Sequence, residues 1–236
     1  MTRRRWIADE VEGDTAALVG DHAAHLARVL RADVGQEFDI ATGQTVRRGT
    51  VTSVSDARVE FALGEEQSAR SVPDVTLALS IFKFDRMEWA IEKCSEIGVS
   101  RIIPVISRRT DVHLAVAAIK RRDRWQRIVL QAAEQSRHAS PPEVALPVKV
   151  KELIDENPSS PRIVLSENEA NASLRDMLAD HAGSLILAIG PEGGWTEEEL
   201  QKFRSSGWTA ASLGGGILRA ETAAIVATAL AIDTLR

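Results

Sequence analysis

The sequence predicts a two-part fold: a small β-rich unit around one helix, then an α/β unit with a mainly parallel sheet. Two changes along the chain carry this. Up to about residue 72, short stretches of β-branched and apolar residues alternate loosely and are parted by polar or glycine-containing turns. From residue 75, uninterrupted apolar runs alternate with helical patterns. Between them GEEQSARSVPD, residues 64–74, is polar and proline-containing and reads as a linker.

In the first part FDIATG, RRGTVTSVS and ARVEFAL are the predicted strands. Asp21 is placed to cap a helix whose Leu26, Val29 and Leu30 fall at helical spacing. Short strands around one helix predict a compact barrel. In the second part VTLALSIF is apolar throughout, as in a strand covered on both faces. Asp85 with Glu88 reads as a capping box for a helix that places Met87, Ile91, Cys94 and Ile97 on one face and ends at Gly98. IIPVI (102–106) is the next strand, blemished by Pro104. A long helix over 119–137 and a proline-containing stretch from 141 to 161 follow. RIVLSE, SLILAIG and TAASLG are three further strands with helices between them. The final helix, Thr222 to Leu235, is apolar nearly all round, which predicts burial on more than one side.

A chain of 236 residues, 44% hydrophobic, has enough apolar surface for a sizeable core. Its net charge of −5 excludes a globally basic binder but not a local basic patch. The single cysteine, Cys94, cannot form an intramolecular disulfide and fits a reducing compartment. The start, MTRRRWIADE, lacks a signal-peptide core, and no uncharged apolar run is long enough to span a bilayer. A soluble cytoplasmic protein, without membrane contact, is the expectation.

Ligands of open α/β sheets sit beyond the carboxyl ends of the strands. Three strand ends here are unusual: LSEN (165–168), IGPEGG (189–194) and LGGGIL (213–218). Glycines there let backbone polar groups approach a ligand closely. The common glycine-rich motifs are missing. No G-x-G-x-x-G opens a helix after a strand, no Gly-Lys-Ser/Thr occurs, and no G-x-S-x-G occurs. The five histidines show no metal-ligand spacing, so no metal is expected.

IGPEGGWTEEEL and LGGGILRAETA resemble the ribosomal RNA uridine-N3 methyltransferases of the RsmE type, in the SPOUT superfamily. RRRW, HLARVLR, KFDRMEWAIEKCSEIGV, SRRTDV and AAEQS match the same family in order along the chain. The resemblance implies a PUA-like RNA-binding β-barrel over 1–72 and a SPOUT methyltransferase domain over 73–236. In the latter a parallel sheet is closed by a C-terminal trefoil knot at about 160–236, a rare exception to the rule against knots. It implies S-adenosylmethionine as cofactor, N3 of a uridine in small-subunit (16S) ribosomal RNA as target, and a homodimer. Two other readings stay open: a methyltransferase of this fold acting on another RNA nucleotide, and a non-catalytic RNA-binding or ribosome-assembly factor. A nucleotide-binding enzyme using the glycine loops for phosphate is a third.

Carried over position by position, Leu165, Glu167, Gly190, Glu192, Gly193, Gly194, Leu213, Gly214, Ile217 and Leu218 would line the cofactor pocket. Arg219 and Glu221 are the catalytic candidates. Arg219 would stabilise the anion left when uracil N3 loses its proton, with an ion pair to Glu221 as its structural alternative. Glu221 would cap the last helix, hold Arg219 or act as base. Arg3, Arg4, Arg5, Arg31, Lys83, Arg86, Arg109, Glu134 and Gln135 are the RNA-binding candidates. Residues 101–127 add a basic stretch: Arg101, Arg108, Arg109, Lys120, Arg121, Arg122, Arg124 and Arg127 against Asp111 and Asp123. Where the family reads L-G-x-R-I-L-R-x-E-T-A, Gly216 replaces the first arginine here.

Overall fold

The structure, a computed structural model, describes residues 5–43, 45–67, 72–155, 160–169, 172–179 and 183–235. The chain divides into two units, Met1–Ser71 with Leu130–Pro141, and Val72–Val129 with Pro142–Arg236. Residues 130–141 thus count with the first unit, which a single boundary at 72/73 does not describe.

The first unit runs β1 (Trp6–Ile7), β2 (Glu10–Glu12), β3 (Thr15–Val19), α1 (Asp21–Ala24), β4 (Glu37–Ala41), β5 (Val46–Val54) and β6 (Arg58–Gln67). The six strands lie in the order β1-β4-β5-β6-β3-β2, with β1 parallel to β4 and the rest antiparallel. The sheet curls into a half-barrel with β1 and β2 as its outer strands. Trp6, Leu18, Leu26, Ile40 and Phe61 fill its core. Asp21 does not cap α1: Gly20 stands at that position and no side-chain cap bond forms. Nor are Val29 and Leu30 in the core, being 64% and 50% exposed. The reason is that α1 runs into a π-helical turn, His25–Val29, whose wider hydrogen bonds (Leu30 N–H to the His25 carbonyl, 3.2 Å) shift the helical phase after Leu26.

The second unit opens with β7 (Asp74–Ser80), α2 (Phe84–Ile97), β8 (Arg101–Ile106) and α3 (Val112–Ser136), whose last turns belong to the first unit. It continues through β9 (Glu143–Val144), β10 (Val148–Lys149), α4 (Val150–Asp155), β11 (Arg162–Leu165), α5 (Leu174–Leu178), β12 (Ser184–Ile189), α6 (Glu197–Ser205), β13 (Thr209–Ala211) and α7 (Ala220–Thr234). All seven strands pair in parallel, in the order β10-β8-β7-β12-β11-β13, with β9 also on β8. Val75, Leu77 and Leu79 of β7 join Met87 and Ile91 of α2 and Ala224, Ala227 and Ile232 of α7 in one core cluster; Ala78 joins Phe203 and Trp208 in another. Both faces being covered explains the unbroken apolar reading of β7.

Gly98 closes α2 in the left-handed conformation (φ 116°). The predicted capping box at Asp85 and Glu88 does not form; Lys83 stands at the cap without a side-chain bond. Glu88 instead takes hydrogen bonds from Arg124 (2.9 Å) and Arg121 (3.2 Å). α3 starts earlier than predicted because Asp111 accepts the His113 and Leu114 N–H groups at 2.7 and 3.4 Å. Pro104 fits because β8 pairs with β9 through Arg101 and Ile102 and with β10 through Val105 and Ile106, leaving Pro104 between the two. α7 packs on α2, α5, β7 and β12, so one chain accounts for much of its apolar circumference; Val226 remains 37% exposed.

Candidate active site

Because β11 lies between β12 and β13, the loops after these three strands are neighbours by topology. They line one open cleft. Leu165, Ser166, Glu167 and Asn168 line it from the first loop, and Ile189 to Glu192, Gly194 and Trp195 from the second. Ser212, Leu213, Gly214, Gly216, Ile217 and Leu218 line it from the third, with Ala220 and Ala223 of α7. Every expected cofactor residue except Gly193 lines the cleft.

Sequence reasoning missed Trp195. Its indole N–H donates to the Leu165 carbonyl at 3.1 Å, joining the first loop to the second, and its ring packs on Gly190. A Cβ at Gly190 would come within 3.2 Å of Trp195 Nε1, so a side chain there would press the indole back. The signal was present in GPEGGW, where a large apolar residue follows a turn. That turn, Pro191 to Gly194, is closed by a 2.8 Å bond from the Gly194 N–H to the Pro191 carbonyl. Gly194 has φ +69°, and a Cβ there would lie 3.0 Å from Glu167 Oε1. Gly216 has neither constraint: a Cβ added to it meets open space.

The charged residues are arranged differently from the sequence expectation. Arg219 stands at the N-cap position of α7, exposed, its side chain with no hydrogen bond or ion pair among the described residues. It does not pair with Glu221. The Glu221 side chain is 7% exposed, and its Oε1 lies 3.9 Å from Arg86 Nε. Glu221 Oε2 has no hydrogen-bond partner among the described residues. Arg86 also donates to Glu192 Oε1 at 2.6 Å, so Glu192 is not a free carboxylate. Glu167 is exposed in the cleft and makes no ion pair among the described residues.

The RNA-binding candidates scatter. Arg86 and Arg109 both act on the second loop, Arg109 donating to the Gly193 carbonyl. Lys83 and Arg31 are exposed, Arg31 in the left-handed conformation (φ 51°). Arg5 donates to the Arg137 carbonyl, and partial burial lowers its pKa despite the nearby Asp39 carboxylate. Glu134 is fully buried in the first unit, where it accepts the Ile7 N–H at 3.3 Å; Gln135 is exposed. Arg3 and Arg4 lie outside the described residues. The basic stretch is largely spoken for: besides Arg121 and Arg124 on Glu88, Arg101 faces Glu143 at 3.4 Å and Arg122 donates to the Val144 carbonyl. Among the described residues no group of three His, Cys, Asp or Glu is placed to hold a metal, and no helix is long and apolar enough to cross a membrane.

A parallel sheet whose three adjacent strand-end loops close one glycine-lined cleft defines the class, and residues 69–232 match the family model described as RNA methyltransferase domain. A curated relative, Ribosomal RNA small subunit methyltransferase E of Mycobacterium bovis, is 31% identical over 91% of this chain and 85% of its own. The crystal structure of a protein of the same name from Neisseria gonorrhoeae, bound to S-adenosyl methionine, superposes with TM-score 0.85 at 33% identity, over 96% of this chain and 95% of that one. A methyltransferase from Legionella pneumophila, in complex with the cofactor SAM, gives TM-score 0.81 at 29% identity over 97% and 94%. The chain belongs to the Ribosomal RNA small subunit methyltransferase E family.

Proposed function

We propose that the chain transfers the methyl group of S-adenosylmethionine to N3 of a uridine in small-subunit (16S) ribosomal RNA. The observation that carries the reading is the convergence of three strand-end loops on one cleft, with unpaired Arg219 between the cleft-lining Leu218 and Ala220. The cleft suits such a cofactor. Backbone is laid bare at Gly214 and Gly216, Ile217 is 85% exposed for an aromatic base to cover, and Glu167 offers a carboxylate to a cation. Leu165, Glu167, Gly190, Glu192, Gly194, Leu213, Gly214, Ile217 and Leu218 would hold it. When bound, it supplies a methyl group activated on a cationic sulfur.

This chain's own residues then have three tasks. The loops fix the cofactor and shut out water. Arg219 offers its guanidinium donors to the uracil anion formed when N3 loses its proton, the oriented-donor effect worth ~10²–10³ in rate. The first unit, a PUA-like RNA-binding module with exposed Arg31, holds RNA, and the exposed Lys83 of the second unit offers a further cation to phosphate. The target uridine is unpaired or flipped out, because N3 lies on its Watson–Crick edge. We further propose a cytoplasmic homodimer whose C-terminal part is knotted.

The test is to map methylation in ribosomal RNA from a deletion strain and from its complemented counterpart. Methylated N3 blocks base pairing, so reverse transcription should stop at one small-subunit uridine only in the complemented strain. Methyl incorporation at another atom or base, or none, overturns the assignment.

A further inference from the structure

We propose that Arg86 is a positioning residue of the cofactor cleft and not an RNA contact: its guanidinium ties the loop after β12 to the start of α7. This rests on the functional reading above.

Arg86 lies in the first turn of α2 and does not line the cleft. Its Nη1 donates to Glu192 Oε1 at 2.6 Å, and its Nε lies 3.9 Å from Glu221 Oε1. Glu192 lines one wall of the cleft; Ala220 and Ala223, either side of Glu221 along α7, line another. One side chain therefore spans two walls from behind. A buried carboxylate is costly unless a cation or hydrogen bond compensates it. Glu221 is buried, its Oε2 has no partner among the described residues, and Arg86 is its ion-pair partner. Removing Arg86 would leave two carboxylates facing each other across the gap it fills, and the walls would part.

One guanidinium thus faces two carboxylates, one on each wall. Arg109 reinforces the loop independently through the Gly193 carbonyl, so the loop is braced by side chain at Glu192 and by backbone at Gly193.

The experiment compares native chain, Arg86→Ala, Arg86→Lys, Glu192→Gln and the Arg86→Ala/Glu192→Gln double variant. S-adenosylmethionine affinity is read by calorimetry and affinity for a small-subunit ribosomal RNA transcript by filter binding. Arg86→Ala should weaken S-adenosylmethionine binding about tenfold, leave RNA affinity within about twofold, and keep most of kcat at saturating cofactor. Glu192→Gln breaks only one of the two Arg86 contacts and should weaken cofactor binding less than Arg86→Ala, and the double variant should lose no more than Arg86→Ala alone, which already breaks that bond. Lysine should restore only part, because its single ammonium nitrogen lacks the separate, planar donors that the guanidinium presents to the two carboxylates. Glu192 is on an exposed loop, so its variant keeps the test decisive even if Arg86→Ala misfolds. Additive losses, or an unchanged cofactor affinity with weakened RNA binding and a shallower salt dependence, overturn the proposal alone. Failure of the native chain to bind S-adenosylmethionine overturns the functional reading and this proposal with it.

Discussion

The Arg219 side chain is exposed beside the cleft and has no partner among the described residues, so its removal disturbs little else. Arg219→Ala should leave cofactor affinity within about twofold and slow methyl transfer ~10²–10³-fold. Single-turnover kinetics with bound RNA would read the step directly, and unchanged turnover would remove Arg219 from the chemistry. The glycines divide by the same logic. Gly194→Ala puts a side chain at φ +69° and 3.0 Å from Glu167 Oε1, a strain of ~1–2 kcal/mol, and should weaken cofactor binding about tenfold in calorimetry. Gly216→Ala enters open space and should bind as the native chain does. The glycine loops stood out in the sequence because chemistry had narrowed those positions. Which carboxylate meets which guanidinium did not: the choice of Arg86 over Arg219 for Glu221 depends on packing from a helix more than a hundred residues away in sequence.

Elements are held by local devices whose effects can be measured one at a time. Thr196 caps α6 by accepting the Glu199 N–H at 3.3 Å, while Glu199 reaches back to the Thr196 N–H at 2.9 Å. Thr196→Ala should cost ~1 kcal/mol in urea denaturation. Glu199 has a second task, accepting the Arg108 N–H at 2.7 Å, so Glu199→Ala should cost more. A loss no larger than that of Thr196→Ala would show the second bond to be idle. The strands of the parallel sheet were readable because a strand covered on both faces needs apolar residues at every position, and that leaves short unbroken apolar runs in the sequence. Helix starts were less so. Asp85 and Glu88 have the spacing of a capping box, but Arg121 and Arg124 draw Glu88 away. The first turns of α3 carry Val112, Val116 and Ile119 on its exposed side, so hydrophobic spacing there carries no information about the core.

For the whole molecule, the family resemblance predicts a dimer, and sedimentation of the purified chain should give a two-chain species. A single-chain species at micromolar concentration would refute it. The core makes its own prediction. Burial pushes the Cys94 thiol up to about 12, against a weak opposing contact from Thr228. An ordinary thiol titrates near 8.5, so Cys94 should resist thiol reagents at pH 8 in the folded chain and react once denatured. Because the fold tolerates only the neutral thiol, stability should decline as pH rises from the ordinary thiol range towards about 12. The indole of Trp195 has a practical use as well. It is one of five tryptophans, it lines the cleft, and its N–H is bound to the backbone of the neighbouring loop. Its emission is a built-in optical gauge of occupancy: cofactor entry should shift the fluorescence of the native chain and leave that of Trp195→Phe unmoved, so that binding can be followed without any label.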